Sequence, residues 1–249
     1  MNSPPVIILV EPQLVENIGM TARAMMNTGL SELRLVTPRD PWPLGETHRA
    51  RMAAASSGAD EILEGARLFQ DLESALADLT YVYATTSRPH DMVNRILTPR
   101  AAIPDMLARS AAGQKTGVLF GRERTGLLSD YVALAHARIT IPMNPAFASL
   151  NLAQAVLLIG YEWYQAQDQT PDSVIHWGDS APATHAEYLN FFRRLESALD
   201  SHGFFPTEAM RPSMRRSLQN MLQRAAMSEQ EIRTWHGVLT ALAGGEKSR

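Results

Sequence analysis

The sequence predicts an α/β fold built on a mostly parallel sheet, with a small α-helical extension at its C-terminal end. Three observations lead there. Residues 6–10, Val-Ile-Ile-Leu-Val, are continuously apolar and β-branched, the pattern of a strand buried on both faces. Strand-like and helix-like segments then alternate as far as Gln165, the order that generates parallel sheets. Beyond Pro182 the apolar residues recur only at helical spacing.

Taken in order, the strand Val6–Val10 is followed by a helix expected from about Asn17 to Thr28, with Gly29 placed as its C-cap. Leu33 to Val36 reads as a second strand, Asp71 to Asp78 as a helix and Tyr81 to Thr85 as a strand. Thr98-Pro99 is an N-cap with proline in the first helical position, opening a helix to about Ala112. Gly117 to Phe120 and Arg138 to Ile141 are two more apolar strands, and Ser149 to Gln165 is a long helix. Gln165 to Pro182, with Asp, Gln, Ser, Gly and two prolines, breaks the pattern and reads as a linker. Residues 1–167 are therefore expected to form the α/β domain, 168–182 the linker and 183–249 the helical extension. In that extension Thr184 with Glu187, and Ser228 with Glu231, have capping-box spacing. Three apolar faces are expected: Tyr188, Phe192, Leu195 and Leu199; then Met214, Leu218, Met221 and Ala225; then Ile232, Trp235, Leu239 and Leu242.

Composition excludes several classes. At 249 residues and 45% hydrophobic the chain can bury a substantial core. No apolar run approaches the roughly 18 residues of a membrane span, and the start lacks a basic, apolar leader, so a cytoplasmic protein is expected. There are no cysteines, which removes disulfides, thiolate metal sites and cysteine nucleophiles. The seven histidines are dispersed, so no metal site is expected. A net charge of −3 weighs against a dedicated nucleic-acid binder. Of the 23 basic residues, however, only Lys115 and Lys247 are lysines, leaving 21 arginines. Arginine forks match phosphate oxygens and stack on bases, although genomic base composition accounts for the bias equally well.

Familiar nucleotide motifs fail. Gly121 and Gly126 have the outer spacing of a P-loop, but Leu127-Leu128 stands where Lys-Ser/Thr is required. No G-x-G-x-x-G follows the first strand, and Ser149 is not in G-x-S-x-G. Three segments remain at or just beyond strand ends. They are Asn17-x-Gly19-x-x-x-Arg23, then FGRERTGL at 120–127, then IPM at 141–143 with SLNLAQA at 149–155. Ligands in open α/β sheets bind beyond the carboxyl ends of the strands, where all three can converge. Each carries Gly or Pro, so bare backbone can face an adenine edge or a carboxylate.

These segments resemble the three motifs of the SpoU branch of the SPOUT methyltransferases, over the first two thirds of the chain. The tail, through Gly203-Phe204, the arginine-rich stretch Met214 to Arg224 and Gly237-x-Leu239, resembles the C-terminal extension of one anticodon-loop 2'-O-methyltransferase of that family. The resemblance implies a deep trefoil knot in the C-terminal half of the α/β domain and a homodimer with active sites at its interface. It implies S-adenosylmethionine as cofactor, tRNA as partner, and ribose 2'-O-methylation of cytidine or uridine, at position 32 of the anticodon loop. Thr85, Phe120, Gly121, Glu123, Ile141, Pro142, Leu150 and Asn151 would bind the cofactor. Arg23, Asn17, Glu123, Ser149 and Asn151 would be catalytic, and no metal is required.

Each residue also has an ordinary reading. Arg23 could be a surface arginine; as a functional group it would clamp a phosphate, because arginine does not deprotonate in proteins. Asn17 could cap the first helix, and Ser149 or Asn151 the long one. Glu123 could be a loop ion-pair partner or could hold Asn17. Arg122 and Arg124 beside the pocket, and Arg211, Arg215 and Arg216 in the tail, could contact RNA phosphates or be solvated charges. Methylation of ribosomal RNA by the same chemistry and a catalytically silent RNA-binding protein are the competing expectations.

Overall fold

The computed structural model describes residues 2–86 and 95–244; Lys247 lies outside them. The chain divides into two compact units, residues 1–169 and 170–249.

The first unit is a seven-stranded sheet whose described ladders are all parallel, in the order β3-β2-β1-β6-β4-β7-β5. The strands are β1 (Val6–Val10), β2 (Leu33–Val36), β3 (Arg67–Phe69), β4 (Tyr81–Thr85), β5 (Arg95–Leu97), β6 (Thr116–Phe120) and β7 (Ala137–Ile139). The helices are α1 (Val15–Asn27), α2 (Glu46–Ser56), α3 (Asp60–Glu64), α4 (Leu72–Leu76), α5 (Pro99–Ala111), α6 (Ser129–Ala133) and α7 (Leu152–Gln165). β1 lies between β2 and β6, with Ile7 opposite Leu33 and Val118. Because side chains alternate across a strand, Ile7 and Leu9 enter the cluster shared with α1, α5 and α7. Val6, Ile8 and Val10 enter the one shared with α4 and α6. Two buried faces explain the unbroken apolar run.

Two helix junctions depend on missing side chains. A Cβ on Gly19 of α1 would lie 2.3 Å from the carbonyl oxygen of Met52 on α2. One on Gly160 of α7 would lie 2.3 Å from Thr28 Oγ1 at the end of α1. Gly29, at φ +69°, follows α1 as its left-handed cap.

Several elements differ from expectation. The long helix starts at Leu152 rather than Ser149, because Asn151 takes the N-cap: its Oδ1 accepts from Ala153 N at 2.9 Å and Gln154 closes a capping box. The strand expected over Arg138 to Ile141 is Ala137–Ile139, which leaves Ile141 in the following loop. α4 spans only Leu72–Leu76, with Asp71 as its cap. The helix α2 escapes notice in the sequence because only Met52 and Ser56 are buried, so no apolar stripe exists. β3 and β5 are three-residue edge strands and α3 and α6 are five-residue helices, too short for a periodic signal.

The second unit holds α8 (His185–Ser201), α9 (Arg211–Gln223) and α10 (Glu229–Gly244). Thr184 caps α8 through a full capping box with Glu187, and Ser228 and Glu231 exchange the same reciprocal bonds before α10. The core is Tyr188, Phe191, Phe192, Ile232 and Leu239, with Leu195, Leu218 and Leu222 packed on it. The expected faces need correction here. Met221, Ala225, Trp235 and Leu242 are exposed, while Phe191 and Leu222 supply the packing.

Candidate active site

The carboxyl ends of β4, β6 and β7 open into a cavity of about 330 Å³. Thr85 and Thr86 contribute from β4 and the residue after it. Phe120 and residues 121–127 contribute from β6 and its loop. Ile139, Ile141, Met143 and Ala148 to Leu150 come from β7 and its loop, and Leu152 and Ala155 from α7. Thr85 Oγ1 donates to Leu119 O at 2.8 Å, so its hydroxyl is locked to β6.

The loop after β6 is folded tightly on itself. Gly126 N donates to Arg122 O at 2.9 Å, and Gly126 has φ +70°. A Cβ on Gly121 would lie 2.2 Å from both Gly126 C and Leu127 N, so only glycine lets the backbone close this turn. At Gly121 and Gly126 the cavity wall is therefore bare peptide, whose N–H and C=O groups can meet a polar ligand edge.

A single hydrogen-bond chain joins the three sequence segments. The Glu123 carboxylate accepts from Gln13 N at 3.0 Å, Leu14 N at 3.1 Å and Asn17 Nδ2 at 2.8 Å. Because the carboxylate only accepts, Asn17 must turn its Oδ1 the other way, where Asn151 Nδ2 donates to it at 2.9 Å. Asn151 then caps α7. Leu14 is the N-cap residue of α1 and makes no side-chain cap. Glu123, 109 residues away in sequence, satisfies that helix end instead and places a negative charge at it. Asn17 is thus not a helix cap; 3% exposed, it is the link between the other two motifs.

Other candidates fall differently. Ser149 is exposed on the cavity rim. Pro142 and Asn151 are exposed beside the cavity lining rather than part of it, and Asn151 caps α7 and bonds Asn17. Arg23 is exposed on α1 and does not line the cavity. It stands six residues after Asn17, about 9 Å further along the helix axis. Arg122 is not a free cation, since it pairs with Glu11, which also accepts from Tyr131 OH at 3.0 Å. Burial first, and then that carboxylate, push the Tyr131 phenol up. Glu11 ends β1 at φ +52°, a left-handed conformation held by this triad and by its N–H to Val36 O. Neither Glu11 nor Tyr131 carries a local sequence signal, since each gains its partner only through the fold. Arg124 is exposed.

In the tail, Arg211 pairs with Asp200 and Glu208 and lies over the Phe205 ring. Arg215 donates to Glu196 at 2.9 Å and lies over Phe192. Both are tied inside the unit rather than projecting freely, whereas Arg216 and Arg224 are exposed. Among the described residues no group of three or more His, Cys, Asp or Glu could hold a metal ion, and no helix is long and apolar enough to cross a membrane.

A parallel sheet whose strand ends present loop backbone and a bonded Glu–Asn–Asn chain around one cavity is an α/β protein with a ligand site at the carboxyl ends of its strands. Residues 4–161 match the SpoU rRNA Methylase family, and the chain belongs to it. Among its relatives is the tRNA (cytidine/uridine-2'-O-)-methyltransferase TrmJ of Sodalis glossinidius, 33% identical over 97% of this chain and 92% of the relative. Another is the tRNA (cytidine/uridine/adenosine-2'-O-)-methyltransferase TrmJ of Pseudomonas aeruginosa, 33% identical over 94% of this chain and 91% of the relative. The crystal structure of TrmJ from Z. mobilis ZM4 superposes with a TM-score of 0.81 at 43% identity, covering 96% of this chain and 99% of that one.

Proposed function

We propose that the chain transfers a methyl group from S-adenosylmethionine to a ribose 2'-hydroxyl of tRNA, at cytidine or uridine 32 of the anticodon loop. The observation that carries this reading is the Glu123–Asn17–Asn151 chain, which ties three separate segments into one rim around a backbone-walled cavity. Near-full-length likeness to relatives named as tRNA 2'-O-methyltransferases supports the choice of RNA.

Thr85, Phe120, Gly121, Ile141 and Leu150 would hold the cofactor, and the glycine cradle fits it: any side chain at 121 would collide with the loop. When bound, the cofactor supplies a methyl group activated by its sulfonium. The protein's share is to hold the ribose hydroxyl in line, exclude water and orient the backbone phosphate. Ser149, exposed on the rim, can meet the incoming ribose. Arg23 clamps the phosphate as a fixed cation.

Arg23 belongs to this site through a second copy of the chain. Met20, Arg23 and Met26 follow one another at i, i+3 and i+6 on the outer face of α1, and both methionines are exposed. Leu157, Leu158, Tyr161 and Tyr164 are exposed on α7, which packs beside α1. A homodimer covering these residues would bring Arg23 of one copy toward the other's cavity. The strand order also supports a knotted connection. The chain leaves β4 for the edge strand β5, then returns to insert β6 between β1 and β4. The protein is read as cytoplasmic, and its chemistry as needing no metal.

The test is to map ribose methylation in tRNA and ribosomal RNA from cells with and without the protein. Loss at position 32 of tRNA is expected; loss confined to ribosomal RNA overturns the choice of substrate. In purified protein Arg23→Ala should abolish turnover while sparing cofactor affinity, and an active monomer in sedimentation would remove the dimer from the mechanism.

A further inference from the structure

We propose that Phe147 is a stacking platform for a base of the substrate RNA next to the methylated nucleotide; this rests on the RNA-methylating reading above. Phe147 is 72% exposed, on the loop between β7 and α7. An exposed phenylalanine forgoes roughly 1.5–3 kcal/mol of burial and contributes nothing to the core it faces away from. Its position is built rather than loose. Asn144-Pro145-Ala146-Phe147 forms a turn in which Phe147 N donates to Asn144 O at 2.9 Å and Ala146 N donates to Asn144 Oδ1 at 3.0 Å. Asparagine at the first position and proline at the second preset this conformation. The ring is therefore presented at little entropic cost to a ligand.

The residues on either side of the turn, Met143, Ala148 and Ser149, line the cavity, while Phe147 does not. The ring therefore stands on the rim that an RNA must cross to place a ribose in the cavity. Exposed Arg124, on the loop after β6, also lines the cavity. A flat apolar face and a cation at one cavity is a pairing that holds a splayed single-stranded loop: the aromatic takes a base and the cation a phosphate. Stacking tolerates any base, so Phe147 adds grip and register rather than base identity.

The test uses the full chain and unmodified tRNA transcript, with Phe147→Ala, Phe147→Leu and Phe147→Trp. Binding is measured directly, so the readout does not depend on methyl transfer. Phe147→Ala should weaken tRNA binding about 5- to 150-fold, the range for loss of one base–aromatic stack. Cofactor affinity by calorimetry and dimerisation by sedimentation should both stay at wild-type values. Phe147→Trp should restore binding, and Phe147→Leu, apolar without a π-face, should not. Equal binding by Phe147→Ala and wild type overturns the proposal, as does rescue by leucine. So does a shift to monomer, which would mean that the ring is covered by the second copy. Wild-type protein that binds tRNA without methylating it would sink the enzymatic reading and leave the Phe147 comparison standing on its own.

Discussion

Glu123→Gln isolates the tertiary cap of α1. In the wild type, Oε1 accepts from Leu14 N and Asn17 Nδ2, at 3.1 and 2.8 Å, while Oε2 accepts from Gln13 N at 3.0 Å. Glutamine retains one acceptor oxygen and sets an NH2 group against the remaining N–H. If its oxygen keeps Leu14 and Asn17, two charge-assisted bonds become neutral, losing about 1 kcal/mol each, and the Gln13 N–H keeps only its longer contact to that oxygen, 3.2 Å, while facing a donor. Gln13 is half-buried, so water offsets part of that loss. Removing the negative charge from the helix N-terminus costs a further 0.3–1 kcal/mol or so. The sum is about 2–4 kcal/mol, or roughly 5–15 °C in the melting temperature of a unit this size. Scanning calorimetry should show the transition of the first unit falling by that amount while the helical unit melts as before. Amide exchange at Gln13 and Leu14 should accelerate together, and cofactor binding should weaken because the same carboxylate holds the cavity loop. A variant melting within a degree of wild type would refute the cap argument, leaving Glu123 as an ordinary loop carboxylate.

Three further outcomes follow from the same geometry. Gly121→Ala should abolish cofactor binding in calorimetry, since its Cβ would stand 2.2 Å from the backbone of Gly126 and Leu127; retained affinity would show that the loop can open without loss. The buried Arg34 guanidinium holds the Asp78 carboxyl well below the usual carboxylate range and helps lower Glu32 against its own desolvation. Depressed carboxylates stabilise the fold above their unfolded values near pH 4 and lose that contribution as pH falls through the lower folded values. Urea denaturation of the wild type should therefore weaken steeply below about pH 4, and Asp78→Asn should be less stable at neutral pH with a shallower acid limb; parallel profiles would remove Asp78 from the acid response. In the tail, Arg216→Ala and Arg224→Ala should each lower the salt slope of tRNA binding by about one unit. Arg215→Ala should instead lower thermal stability through Glu196 and Phe192; an equal effect of all three on the slope would restore the whole helix as a phosphate contact.

Much of this molecule was legible in one dimension. β1 is legible because a strand buried on both faces is apolar throughout, β2, β4 and β6 because most of their residues are apolar, and α5 and α8 because Thr98 with Pro99, and Thr184 with Glu187, are local helix-start signals. The sequence segments around Gly121, Asn17 and Ser149 could be picked out because bare backbone and small polar groups at strand ends have few structural uses. What escaped had no local signal. α2 buries two residues of eleven, and the edge strands have three residues each. Whether a given arginine is free depends on acids far away: Arg122 on Glu11, Arg215 on Glu196.

By itself the sequence determined the strand–helix alternation, the apolar core and the residue types of the three motifs. These depend on neighbours within a few positions, where backbone geometry and side-chain periodicity act directly. Only the tertiary structure decided that Glu123 caps α1, that Asn17 bridges rather than caps, that Asn151 bonds Asn17 while capping α7, and that Phe147 is left exposed. The reason is physical. A hydrogen-bond donor left over at one strand end is satisfied by whichever acceptor the sheet order brings beside it. That order places β6 next to β1 although more than a hundred residues separate them.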